Sequence, residues 1–149
     1  MKKQLLALLI IATSLVGCKK DPTFGDIEAT ITYLVSPSIG QVPDVGAKVF
    51  LFKQEGKDIK YSTKIRDGIL EYNGEVAAAT PVYTGVVNAQ GIVTLTGVPF
   101  GNYILVAGSK GRATYSIKLM TTIAEMTYTT KNFGSLSENK PEGEPWGPY

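Results

Sequence analysis

The chain has 149 residues, with 15 Lys and Arg against 13 Asp and Glu, one cysteine and no histidine. A single cysteine excludes an intramolecular disulfide. The lack of histidine excludes Ser-His-Asp and Cys-His catalysis, histidine-ligated metals and a charge switch near neutral pH.

Lys2 and Lys3 precede an apolar run at 5–17 (LLALLIIATSLVG). Its 13 residues fall short of the ~20 needed to span a bilayer. The run ends in Leu15-Val16-Gly17-Cys18. A cationic start, an apolar stretch and small residues before one cysteine resemble a bacterial lipoprotein signal. The resemblance implies cleavage between Gly17 and Cys18, loss of 1–17 as signal peptide, and lipid (diacylglycerol, then a palmitate-type acyl group) on Cys18. Lys19-Lys20-Asp21-Pro22 follows, a linker-like sequence that argues against a buried thiol. Each buried CH2 of an acyl chain contributes ~0.8 kcal/mol, so several chains anchor stably.

Cleavage removes two of the 15 basic side chains, Lys2 and Lys3, and none of the 13 acidic ones, so the mature chain balances at zero. That balance, with no Lys/Arg stripe, argues against nucleic acid as a partner. Residues 18–25 are the lipidated cysteine and a tether, within ~25 Å of reach. A charged stretch just after the cysteine resembles surface-export signals of Bacteroidetes-type lipoproteins, although Asp21 is its only acid. The implied address is the cell envelope: lipid-anchored, in the outer membrane, at the cell surface.

Residues 26–134 alternate with period two and lack a helical period. Ile27, Ala29, Ile31 and Tyr33 share one face, and Glu28, Thr30 and Thr32 the other. Residues 41–47 (QVPDVGA) read as a turn and 47–53 (AKVFLFK) as a strand. Its two faces, Ala47/Val49/Leu51 and Phe50/Phe52, are both apolar, so each needs a cover. The stretch 54–80 is the candidate for the second cover. It carries a hairpin at Arg66-Asp67-Gly68 between 60–65 and 69–72, and 75–79 is expected to form one helical turn. Strands follow at 82–87, 92–96 and 102–108, separated by turns at Asn88-Ala89-Gln90-Gly91 and at 97–101. Strand 102–108 is again apolar on both faces. Strands at 113–120 and 122–131 complete an all-β, antiparallel sandwich of seven or eight strands, Ig-like or transthyretin-like. Residues 135–149, Pro/Glu-rich, read as a disordered tail.

The segments PDVGAKVFLF (43–52) and NAQGIVTLTGVPFGNYILVAG (88–108) resemble the carboxypeptidase-regulatory-like domain, a transthyretin-like sandwich. They match its P-x-x-G-A-x-V strand, its D/N-x-x-G turn, the strand ending G-L/V-P-x-G and the following Y-x-L-x-A. The likeness covers about 26–110, and 54–80 is longer than the family leads one to expect. Tyr103, opening its strand, is placed to bond back to a nearby backbone group, as in a tyrosine corner. Two enzyme families share the fold, intradiol dioxygenases and hydroxyisourate hydrolases. The resemblance implies neither activity here, since both need histidine. Collagen-adhesin repeats of similar fold form Lys-Asn isopeptide bonds beside a buried Glu; the all-apolar 103–107 offers none.

No cofactor or metal is expected. Asp44, Asp58 and Asp67 lack the alternating acidic spacing of a calcium loop and read as turn formers. Glu71 and Glu75, at i,i+4 around Gly74, read as solvated rather than as a catalytic pair. The leading expectation is a non-catalytic envelope module that binds an envelope protein or a glycan. Its candidate contacts are Tyr61, Tyr72, Tyr83 and Trp146, or strand addition at a sheet edge. A structural spacer or pilus-like subunit is the alternative, and a carboxylate-only hydrolase ranks last.

Overall fold

Alternation between 27 and 33 becomes the first strand of a computed structural model that describes residues 23–56, 64–66, 69–72, 75–112 and 114–134. Strand β1 (Phe24–Ser36) begins inside the stretch expected to be tether. The others are β2 (Gly40–Pro43), β3 (Lys48–Lys53), β4 (Lys64–Arg66), β5 (Ile69–Tyr72), β6 (Glu75–Ala79), β7 (Tyr83–Val86), β8 (Ile92–Pro99), β9 (Gly101–Ser109), β10 (Thr114–Thr122) and β11 (Met126–Phe133). Among the described residues no helix is long and apolar enough to cross a membrane.

The strands form three sheets. In the first, β1 is central: β11 lies along one side, while β8 and β2 share the other. The second runs β10-β9-β3-β7, and the third β4-β5-β6. The first two are the eight-stranded sandwich. Ile27, Ala29 and Ile31 of β1 meet Val49 and Leu51 of β3 and Leu105 and Ala107 of β9 in its core, closed by Phe133 of β11.

The second apolar face of β3 and β9 is covered as expected. Phe52, Ile104 and Val106 pack with Ile65 of β4 and Leu70 of β5, and Phe50, Ala79, Tyr115 and Ile117 border the cluster. Burying a side chain of this size contributes about 1.5–3 kcal/mol, so the third sheet stays where hydrophobic area holds it. The expected hairpin is there too: Arg66 pairs with Ile69 across positions 67–68, which lie outside the described residues.

Four local expectations are corrected. Residues 75–79 form β6, not a helical turn: Ala79 pairs with Leu70 and Glu75 with Tyr72, so cross-strand bonds override the helix preference of a short Ala run. The 41–47 turn shrinks to the few residues after β2, because residues 40–43 pair with β1, where Pro43 ends an edge strand. Likewise β8 runs on to Pro99, so little of the 97–101 turn remains. Finally, the sheets are not wholly antiparallel: β11 is parallel to β1, Asp26 opposite Met126 through Tyr33 opposite Phe133. The chain leaves β10 in the second sheet, crosses at 123–125 and enters the first sheet beside the start of β1. It must then run in the same direction as β1.

The 88–91 turn forms as expected. The Asn88 carboxamide oxygen accepts from the backbone N–H of Gln90 (2.9 Å) and of Ile92 (3.0 Å). Gly91 has φ 81°, the left-handed region that glycine enters without strain.

Candidate functional site

One end of the sandwich gathers the start of β1, the end of β3, the start of β7, the β8–β9 connection and the β10–β11 connection. The backbone ties them together: Phe100 N–H donates to Thr23 C=O (2.9 Å), Asp26 N–H to Glu125 C=O (2.8 Å) and Gln54 N–H to Asn102 C=O (3.0 Å). This is the end from which the N-terminal segment leaves.

A cleft of about 330 Å³ opens here, with Val82, Tyr83, Pro99, Phe100 and Tyr103 as its apolar and aromatic lining and Lys53 and Asn102 as its polar side chains. That volume is at the small end of the ~300–1,000 Å³ typical of ligand pockets. Tyr103 is the tyrosine corner read from the sequence: its hydroxyl donates to Pro99 C=O, four residues back, at 2.8 Å. Burial, and secondarily the neighbouring Tyr83, raise its pKa above the usual tyrosine value.

The Tyr83 hydroxyl donates to Gly97 C=O at 2.9 Å. Gly97 holds φ 66° where β8 carries one extra residue against β1, and its N–H donates to the Asp26 carboxylate at 2.9 Å. Both phenol rings are therefore fixed through their hydroxyls. Asn102 is fixed as well, its side-chain oxygen accepting from Thr121 Oγ1 at 2.8 Å.

Of the residues proposed from sequence, Tyr83 lines this cleft. Tyr72 belongs to β5 of the third sheet. Gly17, Cys18, Tyr61 and Trp146 lie outside the described residues, as do the tail at 135–149, Asp58 and Asp67. Phe100, Lys53 and Asn102 escaped the sequence reading. A phenylalanine between Pro99 and Gly101, in a connection too tight to bury it, was the available signal for the first.

Glu71 stands opposite Lys64 and Glu75 opposite Tyr72, on different strands. At the far end of the sandwich Asp44 is buried, with Oδ2 accepting from Ser109 Oγ (2.5 Å) and Oδ1 from Gly111 N–H (3.0 Å). It clamps two turns together, and both its oxygens are engaged by protein donors. Among the described residues no three acidic side chains gather as metal ligands would.

No protein-family model matches the chain, and no curated protein matches it in sequence. Among solved structures it is similar to GBS52, the minor pilin of Streptococcus agalactiae, at 15% identity over 85% of this chain and 48% of that one, with a TM-score of 0.45. It is similar to BcpA, the major pilin subunit of Bacillus cereus, at 19% identity over 74% of this chain and 30% of that one, with a TM-score of 0.43. A candidate carbohydrate-binding protein from Pseudomonas aeruginosa is similar at 12% identity over 79% of this chain and 92% of that one, with a TM-score of 0.44. The chain thus spans about half the length of GBS52 and less than a third of BcpA. The carboxypeptidase-regulatory-like resemblance rests on the motif residues of 43–52 and 88–108 alone.

Proposed function

We propose that the chain is a non-catalytic, lipid-anchored module of the cell envelope that binds a saccharide in the cleft beside Tyr83. The observation that carries this reading is the cleft itself. It offers a rigid aromatic surface and a few polar groups in a space of about 330 Å³, the usual anatomy of a small-ligand site. Its tyrosine hydroxyls donate to backbone carbonyls, and a chain without histidine lacks the commonest general base. The lipoprotein-type signal at 1–18 supplies the anchor, and the outer membrane and cell surface are its expected address.

The anchor and the cleft are close along the chain. Thr23 lies five positions after Cys18, a covalent reach of about 18 Å. The ligand is therefore met near the bilayer surface. The test is a glycan array probed with the detergent-solubilised full-length protein and its Tyr83→Ala variant. Specific binding by the first and loss of it in the second is the expected result. No binding to any glycan, or binding indifferent to the substitution, overturns the cleft as the site.

A second reading is structural assembly, favoured by the outer edges of β10 and β11, along which no other described strand pairs. These strands of nine and eight residues end their sheets side by side. Open edges of that length are templates for pairing with another chain. Concentration-dependent oligomers in analytical ultracentrifugation would support this reading, and a monomer at all concentrations would remove it.

A further inference from the structure

The geometry points to the end of the sandwich from which the N-terminal segment leaves as a docking surface for the bilayer, seating Phe24, Ile123 and Met126 in its head-group layer; the inference rests on the lipid anchor proposed at Cys18. Phe24 opens β1 and is 57% exposed, Ile123 in the β10–β11 connection is 76% exposed, and Met126 opens β11 at 37%. They come from distant parts of the chain, and strand pairing brings them together. Asp26 stands opposite Met126 in the parallel pair, and its N–H donates to Glu125 C=O at 2.8 Å. Gly25, next to Phe24, lies so close to the Ala124 carbonyl that any side chain there would clash.

Large apolar groups exposed together on one stretch of surface mark a contact site. The chain itself indicates the partner. Thr23 directly precedes Phe24 and lies five positions after Cys18, a reach of about 18 Å. A membrane that holds Cys18 is therefore always close to this patch. The boundary between head groups and acyl chains takes up apolar side chains to a depth of about 5–10 Å. The opposite end exposes Val35, Ile39, Val45 and Val86, but the tether leaves from the other end, and the Lys110 side chain lies over the Gly46 turn there.

The patch is not basic, since Glu125 is exposed between Ala124 and Met126. Apolar contact, rather than attraction to anionic lipid, is what would seat it. None of the three side chains lines the cleft at the same end.

The test places the environment-sensitive fluorophore NBD on single introduced thiols in the lipidated full-length protein. The protein is reconstituted in phosphatidylcholine vesicles that carry a nitroxide-labelled lipid, and its flotation with the vesicles is measured first. Ala124→Cys reports on the patch while leaving its three apolar side chains in place, and Ser38→Cys reports on the far turn. The label at position 124 should be quenched several-fold more than the label at position 38, and added salt should leave that difference intact. Adding Ile123→Asp and Met126→Ser to Ala124→Cys should lower the quenching towards the level at position 38 while the protein still floats. Equal quenching at the two positions, or quenching at position 124 unchanged by the double substitution, overturns the inference and leaves the anchor standing. A protein that fails to float removes the anchor, and the inference falls with it.

Discussion

Tyr103 donates its hydroxyl to the carbonyl of Pro99, four residues back across the β8–β9 connection, at 2.8 Å, from a ring that is almost fully buried. This bond ties the β8–β9 connection to the strand that follows and sets the wall of the cleft. Tyr103→Phe keeps the ring and loses the bond, at a cost of about 1 kcal/mol. Chemical denaturation measures it. The loss should be modest because Thr122 still reaches Pro99 C=O.

The same residue gives the protein an alkaline limit. Its pKa is raised in the folded state, chiefly by burial. The folded state therefore holds the phenolic proton to higher pH than the unfolded chain does. The associated stability is fully present below the unfolded value near 10 and is lost as pH rises through the folded value. Denaturation midpoints should fall above about pH 10 in the native protein and fall less in Tyr103→Phe. Identical alkaline slopes would assign the effect to other groups.

At the opposite end, Asp44 joins the turn after β2 to the turn after β9 through Ser109 and Gly111, while Arg112 N–H donates to Ser109 Oγ (3.0 Å) and the guanidinium lies 4.9 Å from the Tyr33 ring centre. Asp44→Ala leaves buried donors without acceptors and should destabilise by about 3 kcal/mol. Ser109→Ala should cost less. The double variant should cost clearly less than the sum, because the two residues share one network. Additive losses in a double-mutant cycle would contradict that account.

How much of this was readable beforehand depends on the range of the interaction. Alternation placed β1, and the two-faced apolar strands β3 and β9 correctly demanded a second cover. Asn88 and Gly91 announced their turn through local chemistry. The Ala-rich run at 75–79 misled because its neighbour on β5, rather than its own propensity, decides its conformation. The parallel β1–β11 pair follows from the path of the chain after β10, which no local pattern encodes. Tyr83 was suspected as a loop aromatic. Lys53, Phe100 and Asn102 join it only because three separate strand ends meet at one end of the sandwich.

Among the described residues, Ile65, Leu70 and Ala79 join the third sheet to the sandwich, so it should be separable from it. Leu70 of β5 is fully buried against the outer face of β3 and β9. Leu70→Ala should cost about 2–4 kcal/mol locally. Amide hydrogen exchange should show protection falling in β4, β5 and β6 while β1, β3 and β9 keep theirs, as expected of a unit that opens by itself. A uniform loss across all three sheets would mean that they unfold as one.

The proposed anchor makes a geometric prediction that the single cysteine allows to be tested. With Cys18 lipidated, a thiol introduced elsewhere is the only free one in the protein. Ile123, 76% exposed, sits in the β10–β11 connection at the end where the N-terminal segment leaves, whereas Ser38 is exposed in the β1–β2 turn at the other end. The covalent reach from Cys18 to Thr23 is about 18 Å, too short to swing the first end far from a bilayer. In vesicles bearing the lipidated protein, Ile123→Cys should react with a bulky maleimide several-fold more slowly than Ser38→Cys. Adding Cys18→Ser to each should release the protein from the membrane fraction and make the two rates alike. Equal rates in the anchored protein would mean that the sandwich stands clear of the surface. A protein that stays in the membrane fraction after Cys18→Ser would remove Cys18 as the anchor.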